Sequence, residues 1–457
     1  MNSDMYIGVD IGTTVSKGVI IDSNGRLINN FQCLHHYDKS DKAEVWWAEF
    51  LEIVSNLLNA NNIARENIKA ITISAMVPNL VMLNAKGDIA CETRLFTDRF
   101  AINEQNALDA SDGTKWKNET LSKLIVLKDL INKNNVYSLL TTHCYIAFKL
   151  TGKLYCDLAS AYEYGNVFDI NSQRWNYERL SKIGIKEKIL PEIISPIDTV
   201  GYISDWFAKK FHLSNNVKVI AGSHDSIATM IGAGLLYKNE NLIYYGTFNS
   251  TAIMHYDIID ILCGETRDMP IEWTSSIPDS GPQFAQMCKI FANNGQYFDF
   301  DNLARSSLPG ANGALFIQMP NLLQTSIASQ SKGAFLNITS LVTHADLCRA
   351  IFESFGYGIS AFWQVESFCP EKECFAAGGG ARSDIRVQIT SDILDIVQCK
   401  LENAENVVGT ALIGIAAEDL ELFYKLQLKR REQARQFLPK HDKIYDKQKE
   451  EYIKAIM

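Results

Sequence analysis

No apolar run in the sequence reaches 18 residues, so nothing in it reads as a membrane-spanning helix. Basic charge is not in excess either. The 44 Lys and Arg stand against 53 Asp and Glu, and the net charge of −9 argues against nucleic acid or an anionic membrane as the main partner. The chain enters an apolar, strand-like stretch without a basic region or a leader-type core, and the expected location is the cytoplasm. Its 8 histidines and 10 cysteines form no metal-ligand spacing, and Cys369 and Cys374 have no second pair to complete a zinc site. Free thiols are therefore expected, and a transition-metal centre is not. A Walker Gly-x-x-x-x-Gly-Lys loop and a protein-kinase His-Arg-Asp loop are also missing.

What is present is an ordinary globular composition. The 457 residues are 47% hydrophobic and 21% charged, with ample apolar material for more than one core. Tyr6–Thr14 reads as a buried strand ending in a Gly-Thr-Thr turn, with strands at Lys17–Asp22 and Leu27–Cys33 after it. The bland reading is a hairpin with a threonine-rich turn. The chemical one is a phosphate cradle: Gly12 exposes backbone N–H groups, Thr13 and Thr14 add hydroxyls, and Asp10 can hold a magnesium shell.

Ala43–Ala60 has the apolar period of an amphipathic helix, and Ile68–Ser74 reads as a strand. A hairpin is expected from Asn79–Leu83 through the Lys86-Gly87-Asp88 turn. Asp98 and Arg99 suggest a surface ion pair. The stretch 100–190 reads as mostly helical, with helices at Ser122–Asn132, Leu139–Leu150 and Tyr177–Ile183. Val217–Asp225 is a strand that runs into a helix at Ser226–Ala233. Asp225 there is either a simple N-cap or a catalytic group at the strand end of an open sheet.

Asn241–Met254 repeats the opening pattern of strand, Gly-Thr turn and strand. A long amphipathic helix is expected at Ala345–Phe368, and a strand at Glu373–Ala377 runs through Gly378–Ser383 into a helix at Asp384–Leu394. Glycines between strand and helix let a ligand approach the backbone. Helical pieces near Phe284–Asn294, a strand at Ala314–Met319, a small-residue helix at Val407–Glu418 and a charged, helical last thirty residues complete the chain.

In this order the segments resemble the FGGY carbohydrate kinases, from Tyr6 to about Tyr445. The resemblance rests on Asp10-Ile-Gly-Thr-Thr14, on Leu150-Thr-Gly152 with Cys156-Asp157 and Ser160, and on Gly222-Ser-His-Asp225 with Gly232-Ala-Gly234. It continues at Gly246-Thr247 and at Gly378–Ser383 with Gln388 and Asp392. It implies an α/β fold of two duplicated, ribonuclease H-like (actin-like ATPase) domains with mixed sheets flanking a catalytic cleft that closes on its substrates. Residues 1–235 would form the sugar-binding and catalytic domain, and 236–457 the nucleotide-binding one. It implies ATP and Mg2+ as cofactors, Asp225 as general base, and Gly12, Thr13, Thr14, Gly246 and Thr247 on the phosphates. Gly379, Gly380 and Ser383 would hold adenosine, and Asp10 the metal. Asp98, Asp225, Pro78 and Asn79 would face a small sugar or polyol.

Val77-Pro78-Asn79 stands where xylulokinases carry Met-His-Gly, and Pro320–Gln324 where the family has Gly-Glu-Arg-x-Pro. Xylulose and glycerol are therefore not the first expectation, and another pentulose, a pentitol or a related polyol is. Two other readings stay open: a sugar- or nucleotide-sensing member with little turnover, and an actin- or chaperone-like ATPase acting on protein. The acceptor is expected to be a small molecule. Nothing in the sequence fixes an oligomeric state, and a homodimer is left open.

Overall fold

The computed structural model describes residues 3–37, 40–60, 63–112, 118–186, 189–246, 249–277, 280–292, 296–318, 333–365, 368, 370 and 372–456. They group into two compact units. The first comprises Met1–Gly232, Tyr256–Pro270 and Asn406–Lys429; the second comprises Ala233–His255, Ile271–Glu405 and Arg430–Met457. The expected division at residue 235 assigned 256–270 and 406–429 to the second domain; in the structure both segments pack with the first.

The first unit is built on a six-stranded sheet in the order Thr199–Tyr202, Lys218–His224, Ile68–Ala75, Met5–Ile11, Val15–Asp22, Leu27–Leu34. Met5–Ile11 pairs antiparallel with Val15–Asp22 and parallel with Ile68–Ala75, which in turn lies parallel to Lys218–His224. Every residue of Met5–Ile11 is buried, because the strand is covered on both faces.

One cover is the helix Lys42–Leu58, which starts where the Asp41 carboxylate accepts from the Ala43 N–H at 2.9 Å. Its Trp46, Phe50, Ile53, Val54 and Leu57 join Ile7, Val9 and Ile20 in one core, and each such side chain contributes about 1.5–3 kcal/mol by leaving water. The helix Asn406–Glu418 also packs on this strand, and a Cβ added at Gly8 would lie 2.5 Å from the Ala411 nitrogen. Gly8 thus sets how closely that helix approaches the sheet.

The second unit repeats the scheme. Its six-stranded sheet runs Ile271–Ile277, Asn249–Met254, Asn241–Tyr245, Glu373–Ala377, Val397–Lys400, Arg435–Phe437. The pairings run antiparallel, antiparallel, parallel, parallel, antiparallel, the succession of the first sheet read from its Leu27–Leu34 edge. The helix His344–Val365 forms the core with Ile351, Phe352, Phe355 and Ile359. Phe352 packs in a cluster with Phe284 and Phe300, whose rings meet edge to face at 5.4 Å.

Some expected elements differ. Ser138–Leu140 is a strand and not the start of a helix; Val81 pairs with Leu140 and Met82 with Leu139, so these apolar residues gain a sheet edge. The helix begins at Thr142 and ends at Gly152 in a left-handed cap. Arg435–Phe437, expected as helical, completes the second sheet because Phe437 is buried against its core. Leu315–Ile317 pairs with Ala334–Leu336, while Met319 and Pro320–Gln324 lie outside the described residues.

Gly8→Val should therefore separate the helix from the sheet. Urea denaturation is expected to show a loss of about 1–3 kcal/mol, the usual cost of overpacking, whereas Gly379→Ala, where an added Cβ meets open space, should cost less.

Candidate active site

The opening strand delivers Asp10 to its end, two residues before the Gly12 turn. Its carboxyl is buried. Ser74, at the end of the adjacent parallel strand, donates to Oδ1 at 2.8 Å, and the Asn406 amide donates to Oδ2 at 2.8 Å. Thr410 and Ser74 share a further hydrogen bond of 2.6 Å, so the helix Asn406–Glu418 supplies half of this cluster. Burial raises the Asp10 pKa, against the pull of Ser74, Lys17 and Asn406. Beyond it, Gly12 is half-buried and Thr13 and Thr14 are exposed.

Asp225 opens the helix Asp225–Ala233 directly after the strand Lys218–His224. The strand bulges before it, with Gly222 at φ +69°, a conformation that suits glycine. The Asp225 carboxyl accepts from the Ser226 N–H, and the helix N-terminus favours the anion. These effects lose to desolvation. Crowding by protein, with the fields of Asp10 and Glu163, pushes its pKa up to about 7. The sequence alone suggests a group kept ionised by its helix; the structure gives one poised between two states at neutral pH.

Next to the strand that ends at Asp225 lies a cluster that spacing did not reveal. His143 Nε2 is 2.8 Å from Asp157 Oδ2 and 3.4 Å from Cys144 Sγ, and all three residues are buried. Asp157 also accepts from the Ser160 N–H at 3.0 Å and from Ser223 Oγ at 2.8 Å. Burial opposes charge here, yet the His143 hydrogen bond wins and holds the Asp157 carboxyl below its usual range. His143 comes from one helix and Asp157 from the Cys156-Asp157 strand, so only the fold joins them. Through Ser223 the cluster braces the strand that ends at the base. His224, next to it, is pushed down to about 4 by burial and is neutral at physiological pH.

Asn79 is wholly buried and its amide is spent within the protein. Nδ2 donates to Thr142 Oγ1 at 2.8 Å and to the Met76 carbonyl, and Oδ1 accepts from the Phe96 N–H at 2.8 Å. Lys123 Nζ holds the same loop through the Leu95 and Phe96 carbonyls. Asp98 is half-buried, with one oxygen accepting from the Leu95 N–H at 2.9 Å. Arg99 pairs with Glu119 at 3.5 Å and not with Asp98. Pro78 is half-buried and follows a cis Val77–Pro78 bond.

In the second unit, Gly246 ends the strand Asn241–Tyr245, and Thr247 lies outside the described residues. Gly378 opens the turn Gly379–Arg382, where Gly379 is exposed and a Cβ there would meet open space. Ser383 is engaged structurally: its hydroxyl accepts from the Arg386 N–H and donates to Asp301 at 2.8 Å. Gln388 is likewise tied to Asp392 and to the Leu438 carbonyl.

Residues 5–232 match the family model described as "FGGY family of carbohydrate kinases, N-terminal domain". The chain belongs to the FGGY carbohydrate kinases. It is 23% identical over 447 residues to a xylulose kinase from Staphylococcus xylosus, covering 90% of each chain. It is 24% identical over 457 residues to a xylulose kinase from Lactococcus lactis, covering 92% of this chain and 89% of the relative. The fold superposes with a TM-score of 0.81 on a gluconate kinase from Lactobacillus acidophilus, at 19% identity over 99% of this chain and 97% of that one. The fold is therefore the α/β, actin-like ATPase type of these kinases, and the chain is a sugar phosphotransferase.

FGGY kinases use ATP with Mg2+, and the residues here fit both. Asp10 is a buried carboxylate whose two oxygens each take a hydrogen bond from a neutral donor, and a divalent cation nearby would favour its anionic form. Taken separately, the exposed Thr13–Thr14 turn of the first unit and the open backbone at Gly379 in the second are of a kind that suits contact with phosphate or nucleoside. Among the described residues, no helix is long and apolar enough to cross a membrane.

The Asp225 shift has a sign that stability can report. Its folded pKa of about 7 exceeds the reference 3.8, so ionisation opposes folding as pH rises through that window. Asp225→Asn should melt higher than wild type at pH 8, by about 2 °C or more, with a smaller gap at pH 6. Scanning calorimetry at both values checks this.

Proposed function

We propose that this kinase transfers the γ-phosphate of ATP to a hydroxyl of a small pentulose, pentitol or related polyol in the cytoplasm, with Asp225 as general base. The observation that carries the reading is a carboxyl tuned to about 7, at the end of a strand in the unit that also holds Asp10 and the Gly12 turn. A base with that pKa is about half ionised at neutral pH and accepts a proton readily in its ionised form.

Ionised Asp225 takes the proton of the acceptor hydroxyl while that oxygen bonds to the γ-phosphorus. The bond from phosphorus to the β–γ bridging oxygen breaks, and ADP leaves with its electrons. Gly12, Thr13 and Thr14 in the first unit, with Gly246 and Thr247 in the second, would hold the phosphates. Gly379, Gly380 and Ser383 would border the nucleoside; Ser383 would act through its backbone, given its engaged hydroxyl. Asp10 would hold the Mg2+ that neutralises phosphate charge, through water. Positioning and charge compensation of this kind carry most of the catalysis in phosphoryl transfer.

For the acceptor, Asp98 is suited to take hydrogen bonds from sugar hydroxyls, and Pro78 would pack beside it. Asn79, being spent internally, would act by holding the Phe96–Asp98 loop. The relatives named xylulose kinase favour a ketopentose, while Val77-Pro78-Asn79 favours one whose contacts differ from theirs.

ADP release measured against a panel of pentuloses, pentitols and other small polyols tests the reading. Activity on at least one is expected, with kcat/KM rising with pH to a plateau above about 7, and Asp225→Ala lowering kcat by about 10²–10⁴-fold. Nucleotide binding without ADP release on any acceptor would point to a sensing member instead.

A further inference from the structure

The turn that would hold the phosphates is itself held by one residue, His35. Its backbone N–H donates to the Thr14 carbonyl at 3.2 Å, and its Nε2 lies 2.9 Å from the Gly12 carbonyl oxygen. Both contacts are to acceptors on the same turn, so His35 grips it at two points. Its Nδ1 lies 2.8 Å and 3.0 Å from the two oxygens of Glu49, and its side chain is only 3% exposed. Ser16 Oγ donates to the same carboxylate at 2.6 Å, which ties the strand after the turn to the helix Lys42–Leu58.

A count of hydrogens fixes one end of this ring. The Gly12 carbonyl can only accept, so Nε2 carries a hydrogen and donates. Nδ1 lies against the Glu49 carboxyl, which holds the ring in this orientation. Burial pulls its pKa down, but the bonds to Glu49 and Gly12 and the field of Asp10 outweigh that and raise it. The groups facing the ring are Glu49 and Ser16, the Tyr37 ring stacked at 5.2 Å, and Asp10 through its field.

The geometry also sets a direction. Across a trans peptide the C=O of one residue and the N–H of the next point opposite ways. With the Gly12 carbonyl turned onto His35, the Thr13 N–H points to the other side, where Thr13 is exposed. We infer that His35 is a positioning residue for the nucleotide: its ring, held by Glu49, locks the Gly12 peptide so that the Thr13 N–H is aimed at a phosphate oxygen before any nucleotide arrives. This rests on the reading of Gly12–Thr14 as the phosphate turn. The expected consequence is a term in nucleotide affinity and not in acceptor affinity.

Binding of ADP with Mg2+ by titration calorimetry, together with KM for ATP and for the best acceptor, tests this in wild type, His35→Phe, His35→Gln and Glu49→Gln. Losing one oriented bond to a charged phosphate predicts about 10–100-fold weaker ADP binding in His35→Phe, with the acceptor KM unchanged. His35→Gln, which keeps a donor for the Gly12 carbonyl, should recover part of that. Glu49→Gln should lie between, because the ring then loses the carboxylate that orients it. Nitrogen-15 spectra of wild type at pH 8 should show the hydrogen of His35 on Nε2. If His35→Phe melts lower yet binds ADP like wild type, or if Nε2 of His35 carries no hydrogen at pH 8, the inference is overturned. Wild type that binds no ADP would overturn the reading of the turn itself. Should His35→Phe not fold, His35→Gln and Glu49→Gln carry the same comparison.

Discussion

Two carboxyls, the buried Asp10 and the half-buried Asp225, sit crowded by protein in one unit, and much of the architecture follows from holding them there. An ionised carboxylate in such a place needs donors or a cation, or its pKa rises until it is neutral. Asp10 receives Ser74 and Asn406, and Asn406 is 396 positions away in sequence. That bond explains why the chain returns the helix Asn406–Glu418 to the first unit after building most of the second. Asp225 accepts from the Ser226 N–H, yet desolvation and the fields of Asp10 and Glu163 lift it to about 7. The same crowding that costs stability gives a carboxyl whose pKa lies at neutral pH.

The two units use one plan for different chemistry. Both sheets show the same succession of pairings, which is what a duplicated origin leaves behind. In the first, strand ends carry carboxylates, and buried networks brace them: His35 with Glu49 on one side, His143 with Asp157 on the other. In the second, the strands Asn241–Tyr245 and Glu373–Ala377 run into glycine turns at Gly246 and Gly378–Gly380. A backbone bare of side chains suits contact with a nucleotide, whereas proton transfer needs a side chain of tuned pKa.

Much of this was legible in the sequence because it is local. The strand Met5–Ile11, the Gly12 turn, and Asp225 at a strand-to-helix junction all announce themselves within ten residues, and six such segments in order point to the family. What stayed hidden depends on pairing across the chain. Asn406 reads as an ordinary start of a helix, His35 as one polar residue after a strand, and His143 and Asp157 as unrelated positions. Ser138–Leu140 is too short to show a period, and its strand exists because Leu80–Leu83 offers an edge. Asn79 stood out as a departure in a sugar-facing motif, yet its amide is consumed by Thr142, Met76 and Phe96, a fact that only burial reveals.

The central claim is that Asp225 is a base raised by desolvation and by its neighbour Asp10. The most direct measurement is the titration of the Asp225 carboxyl, followed by carbon-13 NMR in the nucleotide-free protein, in wild type and in Asp10→Asn. The account predicts a midpoint near 7 in wild type and a lower one in Asp10→Asn. A midpoint near 4 in both proteins, the ordinary carboxylate value, would contradict it.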